Sequence, residues 1–436
     1  MRVAVIGAGW AGCAAAVEAT RLGHQVTLYE TTRVPGGRAR RVASAVAGQP
    51  VALDNGQHIL IGAYADTLQL MDDLGVDVSA AFMRMPLTLQ FPDGTGFTLP
   101  DWPAPLDALA GIVSARGWSL AEKLSLLKLA ASWRLGGFQC GPEVSVADLC
   151  RGLAPRVMDM LIAPLCVSAL NTPAERSSGQ VFLRVMHDAL FAESGGSNLL
   201  LPRQDLSALL PEPAIAWLQK EGAAVYPGTR VLAISREGAG WVVQTDNHSS
   251  DHSDSPAETS QAVDAVVLAC PPLEAARLAY TGSAEGAASW AATARSLHYE
   301  ALTTVYAHGD GARLAQPMLA LRDGPGVPAQ FVFDRGQLDG PAGLLAFVIS
   351  ASTGDSAELT QQVLAQASQQ LRLPSLTPVQ TIVEKRATFA CTPGLQRPAA
   401  EIEPGLLACG DYVQGPYPAT LEGAVRSGLQ AARHLR

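Results

Sequence analysis

The chain has 436 residues, 48% hydrophobic and 16% charged, with a formal net charge of -9. That is enough apolar material for two or three packed units and a large core, which excludes a disordered or fibrous chain. The acidic balance, with a pI near 5.4, argues against nucleic acid as a partner, because such binding is driven by basic patches.

The first stretch to interpret is "VIGAGWAGCAAAVEA", residues 5 to 19. It competes between a secretory signal, with Ala14-Ala15-Ala16 as cleavage site, and a nucleotide-binding turn. A signal needs an uninterrupted apolar centre. Here Gly7, Gly9 and Gly12 interrupt it at G-x-G-x-x-G spacing. "RVAVI" before them reads as a buried strand, and "WAGCAAAVEATRLG" after them as a helix ending at Gly23. "HQVTLYE" is then a second strand, with Glu30 falling 18 residues after Gly12. Gly7 permits the turn, Gly9 the approach of a pyrophosphate, and Gly12 close packing of helix on sheet. The helix N-terminus offers free N–H groups to phosphates, and the terminal acid suits ribose hydroxyls. The turn reading therefore prevails, and the first residues belong to a core sheet of a cytoplasmic protein.

Gly36-Gly37-Arg38 follows shortly, within the basic run Arg38, Arg40 and Arg41. This order resembles the E-x(n)-G-G-R signature of the FAD-dependent amine oxidase and phytoene desaturase superfamily. The resemblance implies an α/β fold: a discontinuous Rossmann-like FAD-binding domain with a mixed-sheet plus helical substrate domain. It implies FAD contacts from Gly7, Ala8, Gly9, Trp10, Ala11, Gly12, Glu30, Gly36 and Gly37. Arg38 would help neutralise the diphosphate, as a planar guanidinium pairs well with phosphate oxygens.

The likeness continues along the chain. "LDNGQHILIGAY" (53–64) stands where the family runs a loop past the isoalloxazine, giving Gly56, Gln57 and His58. "GAAVYPGTRVLAI" (222–234) resembles the strand whose backbone near Val231 meets the adenine, and "VDAVVLACPP" (263–272) the strand returning to the cofactor domain. "GLLACGDYVQGPYPATLEGAVRSGLQAA" places Gly410 and Asp411 before a final helix. In the family this Asp bonds the flavin, and the helix start, Ala419, Thr420 and Leu421 here, faces it. The implied FAD-binding domain is residues 1–75, 205–285 and 390–436, and the substrate domain 76–204 and 286–389. "LTLQF", "AQFVFD" and "LLAFVIS" are strand candidates of the latter. No second G-x-G-x-x-G occurs in a strand-helix context, so an external electron donor, not a dedicated NAD(P)H domain, would serve the flavin.

Three further stretches carry expectations. Residues 246–262 are polar and read as a hairpin excursion; His248, His252, Asp251 and Asp254 within it read as a solvated loop rather than a metal site. The seven cysteines are scattered without a C-x-x-C pair, so they read as buried thiols, and no metal is expected. No run reaches the roughly 18–20 apolar residues of a spanning helix. However, "SLAEKLSLLKLAASWRL" opens with the capping box Ser119 to Glu122 and carries two apolar stripes. Leu120, Leu124, Leu127, Ala131 and Leu135 form one; Leu126, Leu129 and Trp133 form the other. One stripe needs the core. The second needs more protein or a lipid surface, with Lys123, Lys128 and Arg134 available to anionic headgroups.

Three reaction classes fit. An amine oxidase often places a lysine near the flavin, and Lys385 is the one of four lysines in a suitable stretch. A carotenoid-type desaturase or isomerase acts on a long polyene. Locally, "KRATFACTPGLQRP", "ACGDYVQGPYPATLEGAVRSG" and "DNGQHILIGAY" resemble the squalene-associated FAD-dependent family, the hydroxysqualene dehydroxylases of bacterial hopanoid pathways. This last resemblance implies reductive loss of a hydroxyl from a long-chain isoprenoid alcohol; the expectation of peripheral contact to a membrane comes from the double-striped helix. The reaction needs a proton donor for the leaving hydroxyl and an apolar tunnel. His58 and Tyr417 are the donor candidates. Their plainer roles are a bond to a backbone carbonyl and a wall of the pocket, respectively.

Overall fold

Strand Arg2–Ile6 is buried at every position after the first. It pairs in parallel with Gln25–Glu30 on one side and Ala265–Leu268 on the other. Ala224–Pro227 and Leu406–Ala408 extend this sheet in parallel, and Glu401–Glu403 closes it antiparallel. Strands covered on both faces read as continuous apolar runs, as "VAVI" and "AVVL" do. The computed structural model describes residues 1–102, 106–192, 195–247, 257–281 and 285–435.

Helix Trp10–Arg21 follows the first strand and packs on the last long helix, Leu421–Arg433. A Cβ at Gly428 would lie 2.2 Å from the Ala11 carbonyl oxygen and 3.0 Å from the Ala14 Cβ. Only small residues let the two backbones come this close.

Strands Val231–Glu237, Gly240–Asn247 and Ala257–Val263 form a second, antiparallel sheet. The polar stretch 246–262, expected as a hairpin excursion, supplies strand residues on both sides of this pairing. Asp246 and Asn247 continue one strand, and 257–262 belong to the next, pairing from Trp241 with Val263 to Asn247 with Ala257. Backbone pairing carries a polar sequence into the sheet, because the ladder needs only its N–H and C=O groups. His248, His252, Asp251 and Asp254 lie outside the described residues.

A five-stranded sheet runs in the order Met318–Ala320, Phe331–Asp334, Leu344–Ser350, Tyr299–His308, Thr377–Phe389, antiparallel throughout. All seven residues of Leu344–Ser350 are buried. Its two faces serve two cores: Leu344, Ala346 and Val348 join the main one, whereas Leu345, Phe347 and Ile349 pack beneath helix Ser356–Leu371. The third predicted strand, Thr88–Gln90, sits apart in a hairpin with Gly96–Thr98.

Helix Leu120–Leu135 carries the predicted capping box. Leu126 and Trp133 face inward, with Trp133 edge-on to Phe182 at 6.1 Å. The opposite stripe is uncovered at three positions, Leu120, Leu124 and Leu135, which are 73%, 55% and 90% exposed, while Leu127 packs partly on the core. Among the described residues no helix is long and apolar enough to cross a membrane.

Candidate active site

A cavity of about 620 Å³ runs from the turn after the first strand to the five-stranded sheet. Its near end is built by the glycine turn. Gly7 takes φ +110°, and a Cβ there would meet the Ala269 carbonyl oxygen at 2.6 Å. At Gly12 a Cβ would strike the Gly7 carbonyl oxygen at 1.8 Å, so helix and turn touch. A Cβ at Gly9 would meet nothing nearer than the Gly37 Cα at 4.0 Å. Gly9 and Gly37 thus lie backbone against backbone at the cavity wall, tied by the bond from Gly36 N–H to the Ala8 carbonyl, 2.8 Å. Gly9 caps helix Trp10–Arg21 without a side-chain bond and no acid stands in the first turn, which leaves its N–H groups free for an anion.

Most residues expected to hold the cofactor line this one cavity: Gly7, Gly9, Trp10, Ala11, Glu30, Gly36, Gly37, Arg38, Gln57, His58, Val231, Gly410, Asp411, Ala419, Thr420 and Leu421. Tyr417 lines it too. Ala8, Gly12 and Gly56 are not on its wall. Ala8 donates its N–H to Glu30 Oε2 at 2.8 Å, Gly12 packs on Gly7, and the Gly56 carbonyl accepts from His58 Nδ1 at 2.6 Å. Each supports a lining neighbour from behind.

The charged groups are held by the chain itself. Glu30 also accepts at Oε1 from the Thr32 N–H and hydroxyl, both 2.8 Å. Arg38 Nη2 lies 2.5 Å from Asp411 Oδ1, and its Nη1 donates to the Ala387 carbonyl at 2.6 Å. The charge of Asp411 and the bond to it raise the Arg38 pKa further, although burial opposes this. Arg41 points elsewhere, to Asp205 at 3.1 Å and to Glu212. Arg277 Nη2 reaches the Val231 carbonyl at 3.2 Å and fixes that strand at the cavity edge.

At the far end the walls turn apolar, with Leu165, Val185, Leu302, Phe331, Phe333 and Val348. Sequence reading named none of these as site residues, because they come from elements far apart in the chain. It also missed Asp188. That residue opens a wide-turn helical segment, Asp188–Ala192, after helix Gly179–His187; such segments recur at functional sites. Asp188 receives Arg184 Nε at 2.5 Å, His187 Nδ1 at 2.8 Å and the Tyr417 hydroxyl at 2.7 Å. Burial works against its ionisation, but these three donors hold its carboxyl below the ordinary value. Burial, then the bond to Asp188, pushes the Tyr417 hydroxyl up, so it keeps its proton. The Arg426 and Arg184 guanidiniums lie 5.0 and 5.6 Å from the Tyr417 ring centre.

His58 behaves differently. Burial lowers its pKa, and nearby Arg38 adds to this, although the Gly56 bond opposes it. A carbonyl only accepts, so Nδ1 carries the proton and Nε2 is bare. Lys385 departs from expectation: it is exposed and not on the cavity wall. On a strand with one open face, its neighbours Ala387 and Thr388 reach the cavity instead.

The residues present fit FAD. Gly9 and Gly37 present backbone without side chains to the cavity beside uncapped N–H groups, which suits a diphosphate, and the Tyr412 hydroxyl, buried on the lining, has no partner among the described residues. Fold and site together define a dinucleotide-dependent oxidoreductase whose cavity is largely apolar at its far end. Residues 10–436 match the family of flavin-containing amine oxidoreductases. The chain is 30% identical to hydroxysqualene dehydroxylase of Rhodopseudomonas palustris, over 99% of this chain and 97% of that one. It is 26% identical to the protein of the same name from Sinorhizobium fredii, over 99% and 97%. Cyclohexylamine oxidase from Brevibacterium oxydans superposes with a TM-score of 0.69 at 15% identity, covering 100% of this chain and 98% of that one. The chain belongs to the flavin-containing amine oxidoreductase family and is an FAD-dependent oxidoreductase.

Proposed function

We propose that this protein reductively removes the hydroxyl of hydroxysqualene, giving squalene and water. Full-length likeness to two proteins of that name supports the reading. The observation that carries it is the cavity: its apolar part, with Leu165, Val185, Phe331 and Phe333, shares a wall with a carboxylate, Asp188, bonded to the Tyr417 hydroxyl. None of the four lysines is on that wall, which favours this reading over amine oxidation.

In the balanced reaction the carbinol carbon gains hydride, and the hydroxyl gains a proton and leaves as water. Bound, reduced FAD supplies the hydride equivalent. The residues expected to hold it are the Gly7–Gly12 turn, Glu30, Gly36, Gly37, Arg38, Val231, Gly410, Asp411 and the helix start at Ala419, Thr420 and Leu421. Phe331, Phe333 and Val348 exclude bulk water and so strengthen electrostatic effects in the chamber. Tyr417, protonated at neutral pH, turns its hydroxyl from Asp188 to the departing hydroxyl and delivers the proton; the Arg184 and Arg426 guanidiniums beside its ring offset the tyrosinate until solvent returns a proton. Asp188 sets its negative charge against the allylic cation left behind. His58, neutral and with no proton on Nε2, holds the loop rather than serving as the acid. Bound FAD would need an external electron donor between turnovers, and a substrate this apolar resides in membranes.

The test is anaerobic. Chemically reduced enzyme given hydroxysqualene should yield squalene as its flavin reoxidises. Desaturation of a long polyene by the oxidised enzyme, without squalene formation, would overturn the proposal.

A further inference from the structure

The described residues include thirteen exposed large hydrophobic side chains, and seven of them fall between Trp102 and Leu135. Chance scatter would spread them, since isolated apolar groups are normal on any surface. Helix Leu106–Ser114 exposes Leu106, Leu109 and Val113, which share one face at i, i+3 and i+7. Helix Leu120–Leu135 exposes Leu120, Leu124 and Leu135 on one face, since eleven residues make nearly three whole turns. The two helices pack on each other. The bond from Lys123 Nζ to the Val113 carbonyl, 2.5 Å, joins them at that face.

Within residues 101–135 the exposed charge is mainly basic, on a chain of net charge -9. Arg116, Lys128 and Arg134 are exposed here, and two of the chain's four lysines lie in the second helix. Of the acids from 101 to 135, Asp101 is exposed. Asp107 is buried, and Glu122 is bound to the Ser119 N–H at 2.6 Å.

We infer that this face docks on an anionic lipid surface, with its leucines in the acyl boundary and its basic residues at the headgroups. The charge selects this occupant. In a two-fold dimer through the same face, Arg116, Lys128 and Arg134 would meet their own copies. The fold also connects the face to the chamber. Helix Leu120–Leu135 packs on Pro155–Val157, which runs through Met158–Ile162 into helix Ala163–Leu170. Leu165 and Val167 of that helix line the cavity. One helical layer therefore separates the docking face from the substrate wall. The inference does not depend on which apolar substrate is used.

The flavin-loaded full-length protein would be sedimented with phosphatidylcholine vesicles with and without phosphatidylglycerol. It should bind the anionic vesicles and release as salt rises. Lys128→Glu with Arg134→Glu should weaken binding by at least about fivefold per charge removed. Leu120→Glu with Leu124→Glu should abolish it. Both pairs are exposed, so an unchanged flavin spectrum and melting temperature should show intact folds. Equal sedimentation of wild type and the leucine variant would overturn the inference. So would concentration-dependent dimerisation that this variant removes, with no vesicle binding by the wild type.

Discussion

The Arg38 guanidinium lies 2.5 Å from the Asp411 carboxylate, across 373 positions of chain. The pair ties the loop after the second strand to the turn before the last helix, and both residues line the cavity. Arg38→Met should therefore release FAD at least about tenfold more readily and cost roughly 1–3 kcal/mol of stability, through the unpaired carboxylate. Flavin retained after gel filtration, and thermal melting, would measure the two effects. Full retention would remove Arg38 from the cofactor site.

Two glycines of one motif should fail in different ways. Gly12→Ala drives a Cβ into a carbonyl oxygen, so the protein should be markedly destabilised whether or not flavin is present. Gly9→Ala meets no atom nearer than the Gly37 Cα at 4.0 Å. Its apoprotein should melt within about 2 °C of wild type, while equilibrium titration shows weakened FAD binding. Normal FAD affinity in Gly9→Ala would mean that the backbone at Gly9 does not meet the diphosphate.

The proton donor is separable by kinetics. Tyr417→Phe should lower single-turnover squalene formation by about 10²-fold, the usual worth of a positioned acid. His58→Ala should stay within a few-fold of wild type at saturating substrate. The reverse ranking would reassign the acid to His58.

Asp54 gives a pH signature. Burial pushes its carboxyl up from 3.8 to about 7, against the Leu206 N–H bond and the charge of Arg335. The folded chain thus keeps a proton that the unfolded chain has released. The associated stability is present below about pH 4 and is lost as pH rises through about 7. Asp54→Asn keeps the acceptor for Leu206 and removes the titration. Its melting temperature should gain on wild type across that window, by up to about 1.4 kcal/mol of stability per pH unit. Parallel pH profiles would show that Asp54 ionises freely.

The near end of the site was legible because its chemistry is local. Gly7 takes its positive φ and Gly12 packs on the Gly7 carbonyl within one turn, and Gly36-Gly37 closes on that turn only 27 positions after Gly9. The far end was not. Leu302, Phe331 and Val348 meet Leu165 and Val185 only after five antiparallel strands and two helices have packed, and each alone looks like an ordinary core residue. Asp188 carries no motif at all. Its role arises because Arg184 and His187 converge on it from its own helix, while Tyr417 arrives from 229 positions away.

The sequence by itself determined the nucleotide turn, the strand-helix-strand that follows and the double-striped helix, because glycine spacing and side-chain periodicity act over a few residues. Only the tertiary structure decided which stripe of Leu120–Leu135 is covered, that Arg38 and Asp411 are partners, that Lys385 stays outside, and that Asp188 is the chamber's charge. Those outcomes depend on which distant surfaces meet, and burial and charge pairing are properties of the meeting, not of either segment alone.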